Sequence, residues 1–202
     1  MNAETTFRIL FWLLMAGILV MRANFMFQVR RAGERLMPDH EAVEREGRWM
    51  FIIRVVMFFI LIALLISYGI YLPWIAALTF SLPGWLRWVG FALGLASLAF
   101  WAWAQTALGK HWSAQLQLRK EHHLVTTGPY ARIRHPLYSA MLGIGIAFAL
   151  TSANWVFVVF AAAAIWGLFM RIPREEKMML EKFGDEYKEY MQRTGRFFPM
   201  LK

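Results

Sequence analysis

Apolar residues along this chain gather in four long blocks separated by short polar stretches. The first spans 7–21, broken only by Arg8, and continues more weakly past Arg22. The second covers 55–71 and stops near Pro73, and the third, 88–108, holds no charge at all. A block of roughly 18 or more apolar residues is long enough to cross a bilayer. The fourth block, 137–170, is 34 residues without a charge. As one helix it would be about 50 Å long, well beyond the hydrocarbon core. Its middle reads Thr151-Ser152-Ala153-Asn154, residue types that favour turns and caps over helix interiors. The pattern therefore predicts a helical hairpin. The whole chain reads as one all-α polytopic domain with five spans, about 7–28, 52–72, 88–108, 137–150 and 155–170. Each hairpin arm is short for a full crossing and needs packing partners or a thinned bilayer.

Beyond the hairpin the period persists but the polarity changes. Leu180, Phe183, Tyr187 and Tyr190 recur at spacings of three and four among charged residues, the mark of an amphipathic helix lying against the membrane face. The first block lacks a small-residue cleavage site, so it reads as a retained anchor. Trp49, Trp74, Trp85, Trp88, Trp112 and Trp155 fall near span ends, the depth indole rings prefer.

Composition agrees: 59% of residues are hydrophobic and 17% charged. The excess of 22 Lys+Arg over 13 Asp+Glu acquires meaning from its placement. Segments 22–54, 109–136 and 171–202 carry all the basic residues except Arg8 and Arg87. Five crossings put those three segments on one side, which the positive-inside rule makes cytoplasmic, giving an N-out, C-in topology. No basic-aromatic module stands outside the spans, so nucleic acid is not an expected partner. Cysteine is absent, which excludes disulfides and thiolate chemistry.

Candidate chemistry lies in these basic segments. All five histidines, His40, His111, His122, His123 and His135, are there. Their spacings match no metal-binding pattern, and no metal is expected. The stretch Gly128-Pro129-Tyr130-Ala131-Arg132-Ile133-Arg134-His135-Pro136 makes a turn and then a helix start, with proline where its missing N–H does no harm. Arg132 and Arg134 either anchor lipid headgroups or, with the helix dipole, hold an anion. At the far end of the hairpin, Arg171 stands at the membrane boundary one turn before Glu175. That suits a forked clamp on a carboxylate or phosphate, or a plain i,i+4 pair. The hairpin returns both constellations to one face, so the residues point to an enzyme or binder for a lipidic substrate with a polar cosubstrate.

Five motifs then stand in register across roughly 85–202: Leu108-Gly109-Lys110-His111-Trp112-Ser113; His122-His123-Leu124-Val125-Thr126-Thr127-Gly128-Pro129-Tyr130; Arg134-His135-Pro136-Leu137-Tyr138; Arg171 with Glu175-Glu176; and Phe183-Gly184-Asp185-Glu186-Tyr187. Together they resemble the isoprenylcysteine carboxyl methyltransferase family of integral membrane enzymes. The first 80 residues resemble it only in hydropathy. The resemblance implies a five-helix methyltransferase using S-adenosyl-L-methionine, with its catalytic region at about 109–202. It implies a cofactor site built from Gln115, Gln117, His122, His123, Leu124, Val125, Tyr130, His135, Pro136, Leu137, Tyr138 and Glu175. Arg171, Arg134 and His135 would be catalytic, with Arg171 facing the substrate carboxylate and Trp112 beside the substrate. The implied reaction is carboxyl O-methylation of an isoprenylcysteine-like or other prenylated, lipidic acceptor at the cytoplasmic face, in the inner membrane of a bacterium or the endoplasmic reticulum of a eukaryote. Phospholipid amines, thiols and phenols are the alternative acceptors. An NADPH-dependent sterol-type reductase and a non-catalytic scaffold are the alternatives from other classes.

Overall fold

The computed structural model describes residues 2–31, 48–108 and 124–200. They form α1 (Ala3–Arg31), α2 (Arg48–Gly69), a short α3 (Pro73–Ala77), α4 (Gly84–Leu108), a 3-10 turn (Gly128–Ala131), α5 (Pro136–Ser152) and α6 (Trp155–Arg193). Among the described residues there is no strand, only two isolated bridges. Four helices, α1, α2, α4 and α6, are long and apolar enough to cross a membrane, and α5 is a shorter apolar helix. The chain is an integral membrane protein with a helical core.

The expected hairpin forms around Ala153 and Asn154. Ala153 takes a left-handed conformation at φ 48°, and the Asn154 side chain caps α6 by accepting from Val156 N at 3.0 Å. Two expectations change. The short α3 follows Pro73, where the sequence predicted only a connection. The amphipathic helix is not a separate element, because α6 runs from Trp155 past Pro173 and is interrupted only at Gly184 (φ 54°, ψ −122°). An Arg171 to Glu175 ion pair spans the proline, and glycine alone adopts such a conformation without strain. From Trp155 to the kink at Gly184, α6 extends about 45 Å. Its first part, 155–170, is uncharged, and the charges all fall in the remainder.

Small residues set the tightest helix pairing. On α4 the buried positions Gly90, Gly94, Ser97, Trp101 and Ala104 recur at alternating spacings of three and four. Facing them on α5 are Ala140, Gly143 and Ala147. A Cβ on Gly94 would lie 2.7 Å from a Leu14 methyl, and one on Gly143 would overlap the Ser97 hydroxyl. Such seams let helix backbones approach closely in lipid, where no hydrophobic force drives association. By contrast, α2 joins the bundle mainly through its C-terminal end. Tyr68, fully buried, packs on Phe11 at 4.6 Å and Phe157 at 5.0 Å.

The amino terminus, the 69–87 connection and the hairpin turn share one end of the bundle. Buried Arg87 pairs with Glu4 at 2.7 Å, donates from Nε to Thr151 O at 3.0 Å, and lies over the Phe7 ring. Asn154 Nδ2 donates to Ile75 O at 2.7 Å. Trp49, Trp74, Trp85, Trp88 and Trp155 are all exposed.

Candidate active site

At the opposite end, the Gly128–His135 segment folds against α4, α6 and the residues after α6. Gly128 has φ 58°, and a Cβ there would sit 3.1 Å from Ala107, so the turn needs glycine for both conformation and space. The following 3-10 turn buries Tyr130, whose carbonyl accepts from Tyr190 Oη at 2.7 Å. Pro136 then opens α5 from the N-terminal position His135.

Residues 194–197 lie beside this segment, parallel to it, as a strap. Arg134 N donates to Gly195 O at 2.8 Å, His135 N to Arg196 O at 3.1 Å, and Gly195 N to Arg132 O at 3.0 Å. Ser139 Oγ adds a bond to Phe197 O at 2.6 Å. Arg134 points inward. Its Nη1 donates to Met191 O at 2.8 Å and also to Thr194 O, and its Nε lies 3.4 Å from Glu176.

The imidazole of His135 sits between two acids. Nδ1 is 3.7 Å from Glu175 Oε2 and Nε2 is 3.3 Å from Glu176 Oε1. The ring also stacks on Tyr138, with planes 8° apart. Glu175 accepts from Tyr138 Oη at 2.6 Å and from Arg171 Nε at 2.8 Å. Glu176 is more enclosed and is bound by Arg196 Nη2 at 2.7 Å. Burial pushes its carboxyl up, but hydrogen bonds from His135 and Arg196, with the charge of Arg196, outweigh that and hold it at about 2. Burial also pushes the Tyr190 hydroxyl up to about 12, against the nearby charges of Arg134 and Arg193. Both carboxylates lie by the start of α5, where its dipole favours negative charge.

Of the residues singled out from the sequence, Tyr130, Arg134, His135, Pro136, Tyr138, Arg171 and Glu175 belong to this one cluster. Leu124 and Val125 lead into it as half-buried chain without regular structure. Leu137 turns towards a groove shared with Met21, Phe25, Trp101 and Met141 and edged by Arg22 and Gln105. Trp112, Gln115, Gln117, His122 and His123 lie outside the described residues. Sequence reasoning missed the strap, Arg196 and the engagement of Glu176. The Glu175-Glu176 doublet was the available signal for the last of these. Among the described residues no three acidic or histidine side chains group as metal ligands.

Comparison with known proteins gives a consistent result. Residues 83–181 match the family described as "Isoprenylcysteine carboxyl methyltransferase (ICMT) family". Protein-S-isoprenylcysteine O-methyltransferase B of Arabidopsis thaliana is 33% identical over 96 residues, 46% of this chain and 49% of that protein. The cobalt-zinc-cadmium resistance protein CzcN of Cupriavidus metallidurans is 35% identical over 136 residues, 63% of this chain and 62% of that one. The chain thus spans about half to two-thirds of the lengths of these two relatives. In structure, it is similar to the eukaryotic intramembrane Ras methyltransferase ICMT, with TM-score 0.62 and 22% identity over 99% of this chain and 68% of that one, a likeness of fold. These matches centre on the α4–α6 region that builds the cluster and make residues 83–181 similar to the isoprenylcysteine carboxyl methyltransferase family.

Proposed function

We propose that the chain transfers a methyl group from S-adenosyl-L-methionine to the carboxylate of a lipidic acceptor of the isoprenylcysteine type. The observation that carries this reading is the convergence of His135, Tyr138, Glu175 and Arg171 where the apolar hairpin meets its polar end. The proposal extends to topology: five crossings, with this end cytoplasmic. Support comes from the segregation of basic residues and from the shared opposite end of the amino terminus, the 69–87 connection and the 151–154 turn.

The residues fit the cofactor. Glu175, partly exposed and bordered by the His135–Tyr138 stack, offers a carboxylate beside aromatic rings, a setting that attracts cations. Tyr130, His135, Tyr138 and Glu175 would hold it. When bound, S-adenosyl-L-methionine supplies an electrophilic methyl group on a cationic sulfur. The protein's own residues position and desolvate. An acceptor carboxylate competes with Glu175 for Arg171, and a guanidinium fork orients it within the plane of its donors. The apolar side chains beside Leu137, namely Met21, Phe25, Trp101 and Met141, would line the path of an acceptor chain and keep water from it. A carboxylate carries no proton to be removed, so orientation is the main task.

The test is a radiolabelled methyl-transfer assay in detergent or nanodiscs, with farnesyl- and geranylgeranyl-cysteine analogues beside phosphatidylethanolamine and a lipidic phenol. Label in the carboxylate acceptors supports the reading. Label only in the amine or phenol moves the acceptor class. NADPH binding without S-adenosylmethionine binding on calorimetry overturns the proposal.

A further inference from the structure

Glu176 has no part in the mechanism above, yet its buried carboxylate meets three basic side chains. Arg134 Nε lies at 3.4 Å, His135 Nε2 at 3.3 Å and Arg196 Nη2 at 2.7 Å. Both of its oxygens are engaged and its side chain is 8% exposed, against 18% for Glu175. That leaves it poorly placed to receive a ligand and well placed to hold the chain. Arg196 is half exposed and lies beyond the 83–181 stretch that matches the family.

The backbone pairing between the strap and the Arg134–His135 segment is a single isolated bridge with a few bonds beside it. Pairing that short is marginal by itself, and the exposed side chain of Arg196 would ordinarily stay solvated. We propose that Glu176 and Arg196 form a clasp holding residues 194–197 across Arg134 and His135, and that Glu176 is thereby a positioning residue for the adenosyl-binding wall. The positioning half rests on the methyltransferase reading; the clasp itself does not. His135 links the two, because the ring that Glu176 fixes at Nε2 stacks on Tyr138, the donor to Glu175.

The experiment uses the full chain in nanodiscs. In E176Q, amide exchange at Arg134, His135 and Gly195 accelerates by about tenfold or more, while the apolar helices exchange as before. Affinity for S-adenosylhomocysteine and the cofactor KM worsen by about tenfold, whereas kcat and the acceptor KM stay within about threefold. R196M reproduces the exchange change, R196K largely reverses it, and E176Q/R196M is no worse than the more affected single variant. Unchanged exchange at the three amides overturns the clasp. Acceleration throughout α4–α6 with a matching fall in thermal midpoint overturns the positioning role, since that is general destabilisation. If the wild-type protein binds no S-adenosylhomocysteine, the methyltransferase reading and the positioning role fail together, and the exchange pattern still decides the clasp.

Discussion

Arg171 Nε donates to Glu175 Oε1 at 2.8 Å across a helical turn that contains Pro173. The pair places a cation directly after the uncharged run of α6 and an acid one turn deeper into the polar cluster. If Arg171 orients the acceptor, R171A slows methylation of a carboxylate lipid by about 10- to 100-fold, the worth of a charged hydrogen bond. Affinity for S-adenosylhomocysteine stays nearly unchanged. The reverse order, in calorimetry and initial rates, would remove Arg171 from the acceptor site.

Tyr138 Oη and Glu175 share a 2.6 Å bond. Y138F deletes that donor with little change of shape and costs cofactor affinity about tenfold, on the scale of one hydrogen bond to a charged group. E175A lowers it further. Equal affinities for wild type, Y138F and E175A by titration calorimetry would exclude this pair from the cofactor wall.

The Glu176 carboxyl is held at about 2 against an ordinary 4.5. Its folded value lies below its unfolded one, so its contribution to stability is complete above about 4.5 and is lost as pH falls towards about 2. Thermal midpoints in detergent therefore fall as pH drops below about 4.5, and E176Q shows a shallower slope over the same window. Parallel slopes in the two proteins would count against this assignment.

The α4–α5 seam has no room at Gly143, where a Cβ would overlap the Ser97 hydroxyl. G143V costs about 1–3 kcal/mol through overpacking and lowers the thermal midpoint. G143A is milder, and pairing it with S97G recovers part of the loss. A G143V midpoint equal to that of wild type would show that the seam is looser than its backbones suggest.

At the far end, Glu4 and Arg87 form a partly buried pair. E4A leaves the Arg87 charge enclosed and destabilises by a few kcal/mol, whereas E4A/R87M is less affected than E4A alone, because an apolar replacement carries no desolvation cost. A double variant no better than E4A in urea or thermal unfolding would mean that Arg87 acts through Thr151 O and Ser152 O rather than through Glu4.

The hairpin was legible in the sequence because its signals are local: an uncharged run too long for one span, with Thr151 to Asn154 in its middle. The meeting of Tyr138 with Glu175 followed from that geometry. Nothing in the sequence joins the apolar arm to the polar helix across Pro173, since a proline marks a helix end by its own chemistry and says nothing of the Arg171–Glu175 pair that carries α6 past it. The two adjacent glutamates look equivalent in sequence. On a helix their side chains point about 100° apart, so one meets Tyr138 and Arg171 and the other meets His135 and Arg196. The strap was invisible for a different reason. On its own side, its bonds to residues 132–135 are made by backbone groups, which every residue type carries, so no pattern in Thr194-Gly195-Arg196-Phe197 announces them.

That strap also sets an order of events during synthesis. Arg134 and Thr194 touch across 60 positions, and everything between them is the hairpin with its polar extension. Contacts so distant in sequence form late, after the intervening loop has been closed. Every apolar helix can be made and inserted while Arg134 and His135 still lack the backbone partners that Gly195 and Arg196 provide. The membrane-embedded body is therefore assembled first, and the wall of the cluster is completed only when the chain has reached residues 194–197.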